Sequence, residues 1–222
     1  LLKATDIDVN LLTIKEVNSL SKGKWTPLLD LPKYLGVTPN NPITSTKYIS
    51  TPKELRNKWK NLISEEKSLI IGINWQGNPN TEKVALKGRS LPLETFSGLA
   101  KKNNFKFLSL QKGFGSEQLS NCSFRDKFVN CQKIVDDTWD FLETTAIIDN
   151  CDLIITSDTS VAHLAGGMNK KTWLLLSYVP DWRWGIQGDS TFWYPSMKLF
   201  RQPEKDNWDA VMEKVEIEIE KL

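Results

Sequence analysis

The chain has 222 residues, enough for one large domain or two small ones, and its 40% hydrophobic and 25% charged residues carry no disorder signature. A formal charge of +2, with lysines scattered along the chain, argues against nucleic acid as a partner, and no apolar run approaches the ~20 residues of a membrane span. Three cysteines (Cys122, Cys131, Cys151) beside a single histidine make no familiar metal set, so no metal is expected and the thiols read as reduced, in a cytoplasmic protein.

The chain opens on Leu1 rather than methionine, so an upstream segment is expected. Residues 1–50 hold a strand-like Val9-Asn10-Leu11-Leu12-Thr13, an apolar stretch at 28–32 and a loop rich in Pro, Asn and Thr. That is too little to bury an independent core, and the segment reads as the end of a preceding domain. Residues 51–66 carry a helix start signal: Thr51 as N-cap, Pro52 in the first helical position and Glu54 completing a capping box. Leu55, Trp59, Leu62 and Ile63 recur at helical spacing, which predicts a linker helix between domains.

Residues 67–222 are more regular. Apolar runs begin near Leu69, Phe105, Gln132, Leu153, Thr172 and Met197, the one at Gln132 being the weakest. Most are short and continuous, as in strands buried on both faces of a parallel sheet. Between them lie helical patterns at Leu93, Phe96, Leu99 and Ala100; at Phe141, Leu142, Thr145 and Ala146; and at Val161, Leu164, Ala165 and Met168. A final stripe runs through Trp208, Val211, Met212, Val215, Ile219 and Leu222. The alternation predicts a Rossmann-like, doubly wound α/β domain, whose ligands bind beyond the carboxyl ends of the strands. Segments 74–80, 111–116, 136–140, 157–163 and 177–184 occupy that edge.

The stretch ITSDTSVAHLAGG (155–167) carries the most chemistry. Thr159 or Ser160 caps a helix whose free amides and dipole favour a diphosphate, and His163, one turn in, can donate to a phosphate or ribose oxygen. In the neighbouring loops Gln76 and Asn78 suit sugar hydroxyls, Arg89 suits a bidentate phosphate clamp, and Lys112 adds a second cation. Gly113-Phe114-Gly115 with Asp136 offers a partial dinucleotide fingerprint, but Gln118 fills its third glycine position.

Taken together, Trp75-Gln76-Gly77-Asn78, Arg89-Ser90-Leu91-Pro92-Leu93, Ser109-Leu110-Gln111-Lys112-Gly113, Asp158-Thr159-Ser160-Val161-Ala162-His163-Leu164-Ala165-Gly166, Asp181-Trp182-Arg183-Trp184 and Trp193-Tyr194-Pro195-Ser196-Met197 resemble one family. It is the GT-B glycosyltransferase domain of bacterial tetratricopeptide-repeat proteins, similar to ADP-heptose:lipopolysaccharide heptosyltransferases and more distantly to O-linked GlcNAc transferase. The resemblance covers roughly residues 69–203. It implies a C-terminal donor-binding domain at 67–222, preceded by a remnant of the acceptor-side domain at 1–50 and a linker helix at 51–66.

The resemblance also implies roles. Backbone groups of Thr159 and Ser160 would hold the donor diphosphate, with Asp158 shaping the turn and His163 nearby; Ser160 stands where the heptosyltransferases have glycine. Arg89 would replace a phosphate-binding lysine, Gln111 and Lys112 would face the nucleotide, residues 139–141 would lie near the base, and Asp137 would reach the ribose. The donor would be a nucleoside-diphosphate sugar, with no cofactor, and the acceptor a glycan, lipid or protein. The catalytic base is expected in the missing part of the N-terminal domain, so none is named. A non-catalytic sugar-nucleotide-binding or scaffold module, a sugar-nucleotide epimerase and, more distantly, a nicotinamide-dependent oxidoreductase are the competing readings. The tryptophan-rich segment 181–194 reads as packing of a long loop.

Overall fold

Four of the apolar runs between Leu69 and Arg201 lack the period-two alternation of a half-exposed sheet, and a sheet covered on both faces is the outcome. The structure, a computed structural model, describes residues 10, 12–38, 40–42, 47–64, 66–102 and 105–222. In chain order the elements are α1 (Ile14–Asn18), α2 (Leu31–Tyr34), α3 (Lys53–Ile63), β1 (Leu69–Asn74), α4 (Pro79–Glu82), α5 (Ser97–Ala100), β2 (Phe105–Ser109) and α6 (Gln132–Asp136). They continue with α7 (Phe141–Asp149), β3 (Leu153–Ser157), α8 (Ser160–Gly167), β4 (Thr172–Leu176), β5 (Met197–Arg201) and α9 (Asp209–Ile219). The five strands form one parallel sheet in the order β2-β1-β3-β4-β5.

Successive strand residues point to opposite faces, and the packing follows that period. Ile71, Ile73, Leu153, Ile155, Trp173 and Leu175 pack on one side with Val211, Met212, Val215 and Ile219 of α9. Ile70, Leu108, Leu110 and Ile154 pack on the other with α3, α7 and α8 through Trp59, Ile63, Ala146, Ile147, Val161 and Leu164. The chain goes from β1 outward to β2, then crosses back to β3 on the other side of β1. The reversal opens a crevice between the carboxyl ends of β1 and β3, where Asn74 is paired in register with Thr156.

Helix α8 is held close from outside by small residues near its C-terminus. A Cβ on Gly166 would approach the Tyr194 ring to 2.5 Å, and one on Gly167 would meet Tyr48 and Ile49 at 2.8 Å. The Gly167 carbonyl accepts from the amides of Tyr48 (2.9 Å) and Ile49 (3.0 Å), tying the segment before α3 to this helix.

Several expectations need correction. The run at Gln132 is helix α6, not a strand: Gln132 and Val135 are buried one turn apart, a spacing that four residues cannot distinguish from a short strand. Thr51 does not cap α3. The helix starts at Lys53 behind Pro52 with no side-chain cap, and Thr51 Oγ1 is buried without a partner. Of the strand expected at 9–13, Val9 and Leu11 lie outside the described residues, while Thr13 caps α1 through a capping box with Glu16. Among the described residues 10–48 none is buried. After Gly113-Phe114-Gly115 comes a 3-10 turn, Ser116–Ser120, rather than the helix a dinucleotide fingerprint requires.

Candidate functional site

A cleft of about 480 Å³ opens at the crevice between β1 and β3. Of the residues singled out from the sequence, Gln76, Asn78, Arg89, Gln111, Lys112, Thr159 and Ser160 line it, whereas Asp137, Asp158 and His163 do not. The 139–141 stretch also faces it through Trp139, Asp140 and Phe141, and Asn74, Phe114 and Thr144 line it as well. Asn74, which opens the 74–80 segment, is a polar residue ending an otherwise apolar strand.

Of the helices that begin at this cleft, α7 and α8 differ at their first turn. Helix α7 is capped by its own Asp140, whose carboxylate accepts from the Glu143 amide at 2.8 Å. Helix α8 has Thr159 at the N-cap position in extended conformation, yet makes no side-chain cap. The reason lies in β1. Thr159 Oγ1 donates to Asn74 Oδ1 at 2.8 Å, so the hydroxyl that would close the helix is drawn toward the strand. The amides opening α8 are left for a ligand, with the positive end of the helix dipole behind them.

Asn74 is in turn held by Gln111. Gln111 Oε1 accepts from Asn74 Nδ2 (2.9 Å) and from the amides of Trp75 (3.1 Å) and Gln76 (2.9 Å), and its Nε2 donates to the carbonyls of Gln76 (2.9 Å) and Phe114 (2.6 Å). Gln111 is buried and its side-chain amide is engaged at both ends. At the cleft it is a brace that fixes the loop after β1, and Gln76 Oε1 is itself occupied by Gln118 Nε2 at 3.0 Å. Asn78 Oδ1 accepts from the Asn80 amide at 2.9 Å and opens α4.

Arg89 spans the two sides of the crevice. Its Nη1 donates to the Asp158 carbonyl at 2.9 Å and its Nε lies 3.3 Å from Glu82 Oε1. A guanidinium has five N–H donors, so others remain for an anion. The group lies directly against Gly77, where any Cβ would collide with it. Gly77 is also fixed from its amide, which donates to Ser90 Oγ at 2.9 Å. Lys112 reaches the far wall, where its Nζ donates to the Val135 carbonyl, and burial lowers its pKa against the opposing pull of Asp136 and Asp137.

The three residues outside the cleft have other surroundings. Asp158 is buried; burial raises its carboxyl pKa, opposed most strongly by the Trp184 indole and then by the charge of Arg183. His163 stacks on Trp184 with centroids 5.3 Å apart, and its Nδ1 lies 2.9 Å from the Tyr194 hydroxyl. Burial first, and the charge of Arg183 second, push its pKa down to about 4, so it is a neutral, packed imidazole at neutral pH. The Tyr194 hydroxyl also accepts from Tyr48 at 3.4 Å. Asp137 is exposed at the end of α6, while its neighbour Asp136 accepts from Gln132 Nε2 at 2.8 Å.

Among the described residues no helix is long and apolar enough to cross a membrane. No family model and no curated protein sequence matches the chain. Solved structures do. A glycosyl transferase family 9 protein from Veillonella parvula superposes with a TM-score of 0.54 at 16% identity, over 87% of this chain and 50% of that one. The ADP-heptose lps heptosyltransferase II of E. coli superposes with a TM-score of 0.55 at 12% identity, over 82% of this chain and 56% of that one. The chain thus spans about half the length of each, and its five-stranded parallel α/β architecture is that of GT-B glycosyltransferase structures.

Proposed function

We propose that this chain is the donor-binding half of a glycosyltransferase that takes its sugar from a nucleoside diphosphate. The observation that carries the reading is the open N-terminus of α8 at the sheet's crevice, vacated by Thr159 and faced by Arg89. A pyrophosphate seated there meets the amides of Ser160 and Val161, the helix dipole and the free guanidinium N–H groups together. Phe114, Trp139 and Phe141 provide flat apolar surface for a base on the opposite rim. When the glycosidic bond breaks, negative charge grows on the departing nucleoside diphosphate. Donors already aimed at that charge lower the barrier without having to reorganise.

Residues 67–222 are then the donor domain and 51–66 a helix leading into it, with 1–50 the end of an acceptor-side domain. The lack of any buried residue among the described positions 10–48 supports that division. The catalytic base belongs to the remainder of such an enzyme, and the acceptor is a glycan, a lipid or a protein. Titration calorimetry with ADP, UDP and GDP tests the site. Binding is expected for at least one, weakened ~10–100-fold in Arg89→Ala, the worth of one or two charge-assisted hydrogen bonds. Binding that ignores the substitution, or no binding at all, would overturn the reading.

A further inference from the structure

The connection from β4 to β5, residues 177–196, is long and has only one regular turn, the 3-10 segment Trp182–Trp184. Such loops in compact domains are commonly functional, and this one is built to hold a shape. Arg201, the last residue of β5, donates to four carbonyls of the loop: Gly188 (2.7 Å), Gly185 (2.9 Å), Trp184 (2.5 Å) and Gln187 (3.2 Å). Trp193 Nε1 donates to the Arg183 carbonyl at 3.0 Å, and Arg183 is paired with Asp181 at 3.3 Å.

Packing accounts for only part of the tryptophan load. Trp184 is buried and stacks on His163. Trp182 is 68% exposed, which packing does not explain. Its ring meets Trp193 edge to face, with centroids 6.4 Å apart and planes at 79°, so the two indoles form a wall and a floor. They border a cavity of about 540 Å³, closed on the other side by Pro32, Val37 and Thr38, with Arg183, Gln187 and Thr191 supplying its polar groups.

We propose that this cavity seats a neutral glycan, and, resting on the transferase reading above, that the glycan is the acceptor. Two indole faces at right angles suit the apolar C–H face of a pyranose, and a few fixed polar groups suit its hydroxyls. Arg183 is the one charged residue lining the cavity, and its pairing with Asp181 offsets that charge, so the lining is close to neutral and favours neutral over acidic sugars. The same loop packs on the helix that opens the donor cleft: Trp184 stacks on His163 of α8, whose N-cap Thr159 lines that cleft.

The test is an array of neutral and acidic glycans probed with the 222-residue chain, its Trp182→Ala and Trp182→Phe variants, and a parallel ADP, UDP and GDP titration. Trp182 is exposed, so truncation leaves the core intact, which an unchanged thermal midpoint verifies. Expected are binding to neutral glycans, a loss of at least tenfold in Trp182→Ala, partial recovery in Trp182→Phe, and unchanged nucleotide affinity. The inference is overturned by no glycan binding, by binding confined to acidic glycans, or by glycan binding indifferent to Trp182→Ala. If glycans bind as expected but no nucleotide does, the carbohydrate site stands and the transferase reading, with the acceptor role, falls. If nucleotides bind and glycans do not, the reverse holds.

Discussion

Replacing Gln111 with methionine keeps the volume of the side chain and removes its five hydrogen bonds. The groups left behind differ in their access to water. Gln76 is partly exposed and a solvent molecule can reach its backbone, but Trp75 is 0% and Asn74 4% exposed. The Trp75 amide and Asn74 Nδ2 are therefore the two donors that lose their acceptor in a dry place. At ~1–3 kcal/mol for each buried unsatisfied donor, the loss is ~2–6 kcal/mol. At ~2–4 °C per kcal/mol for a domain of this size, the thermal midpoint falls by ~4 °C at least and ~12 °C near the centre of the range. Calorimetry and urea unfolding of wild type and Gln111→Met measure both quantities. If Gln111 instead presented its amide to the nucleotide, the substitution would cost affinity and leave stability nearly untouched. A midpoint within ~2 °C of wild type would refute the argument that this residue is a brace.

His163 sets a pH dependence. Above about pH 6.5 the imidazole is neutral in both folded and unfolded chains; below it the unfolded chain takes a proton that the folded site refuses until about pH 4. Its stability is therefore whole above pH 6.5 and falls as pH drops toward 4, by up to ~1.4 kcal/mol per pH unit. His163→Gln should flatten this window in urea melts, and identical slopes for the two proteins would sink the assignment. Cys151 is buried, and burial pushes its thiol up to about 12. Alkylation at pH 8 should therefore modify it only at the rate of global unfolding, after the partly exposed Cys122, as mapped by mass spectrometry. Labelling of Cys151 as fast as Cys122 in the native protein would contradict its burial.

Much of the fold is legible in the sequence because burial on both faces leaves a local trace. The runs at Leu69, Leu153 and Thr172 are continuous because, past the exposed Leu69, their residues are buried on both faces of the sheet, and the stripe through Val211, Met212, Val215 and Ile219 has the helical period because one face of α9 is covered. The turn at Asp158 is legible for a similar reason, since small and hydroxyl residues between an apolar strand and an apolar helix mark a place where backbone must stay accessible. Local pattern failed where two readings share a spacing, as at Gln132, and where a cap residue was available but unused, as at Thr51.

What the residues by themselves determined is the alternation of strand and helix, and hence the edge of the sheet at which a ligand binds. Only the tertiary structure decided which polar groups at that edge remain free to bind one. Gln111, Thr159 and His163 all carry donors that suit a nucleotide. Asn74 takes the Thr159 hydroxyl, the loop after β1 takes the Gln111 amide, and Tyr194 and Trp184 take the imidazole. These partners lie from 21 to 85 residues away in the chain, beyond the reach of any local pattern. A hydrogen-bonding group is available to a ligand only when the fold has not already satisfied it, and that depends on which distant segments are brought against it.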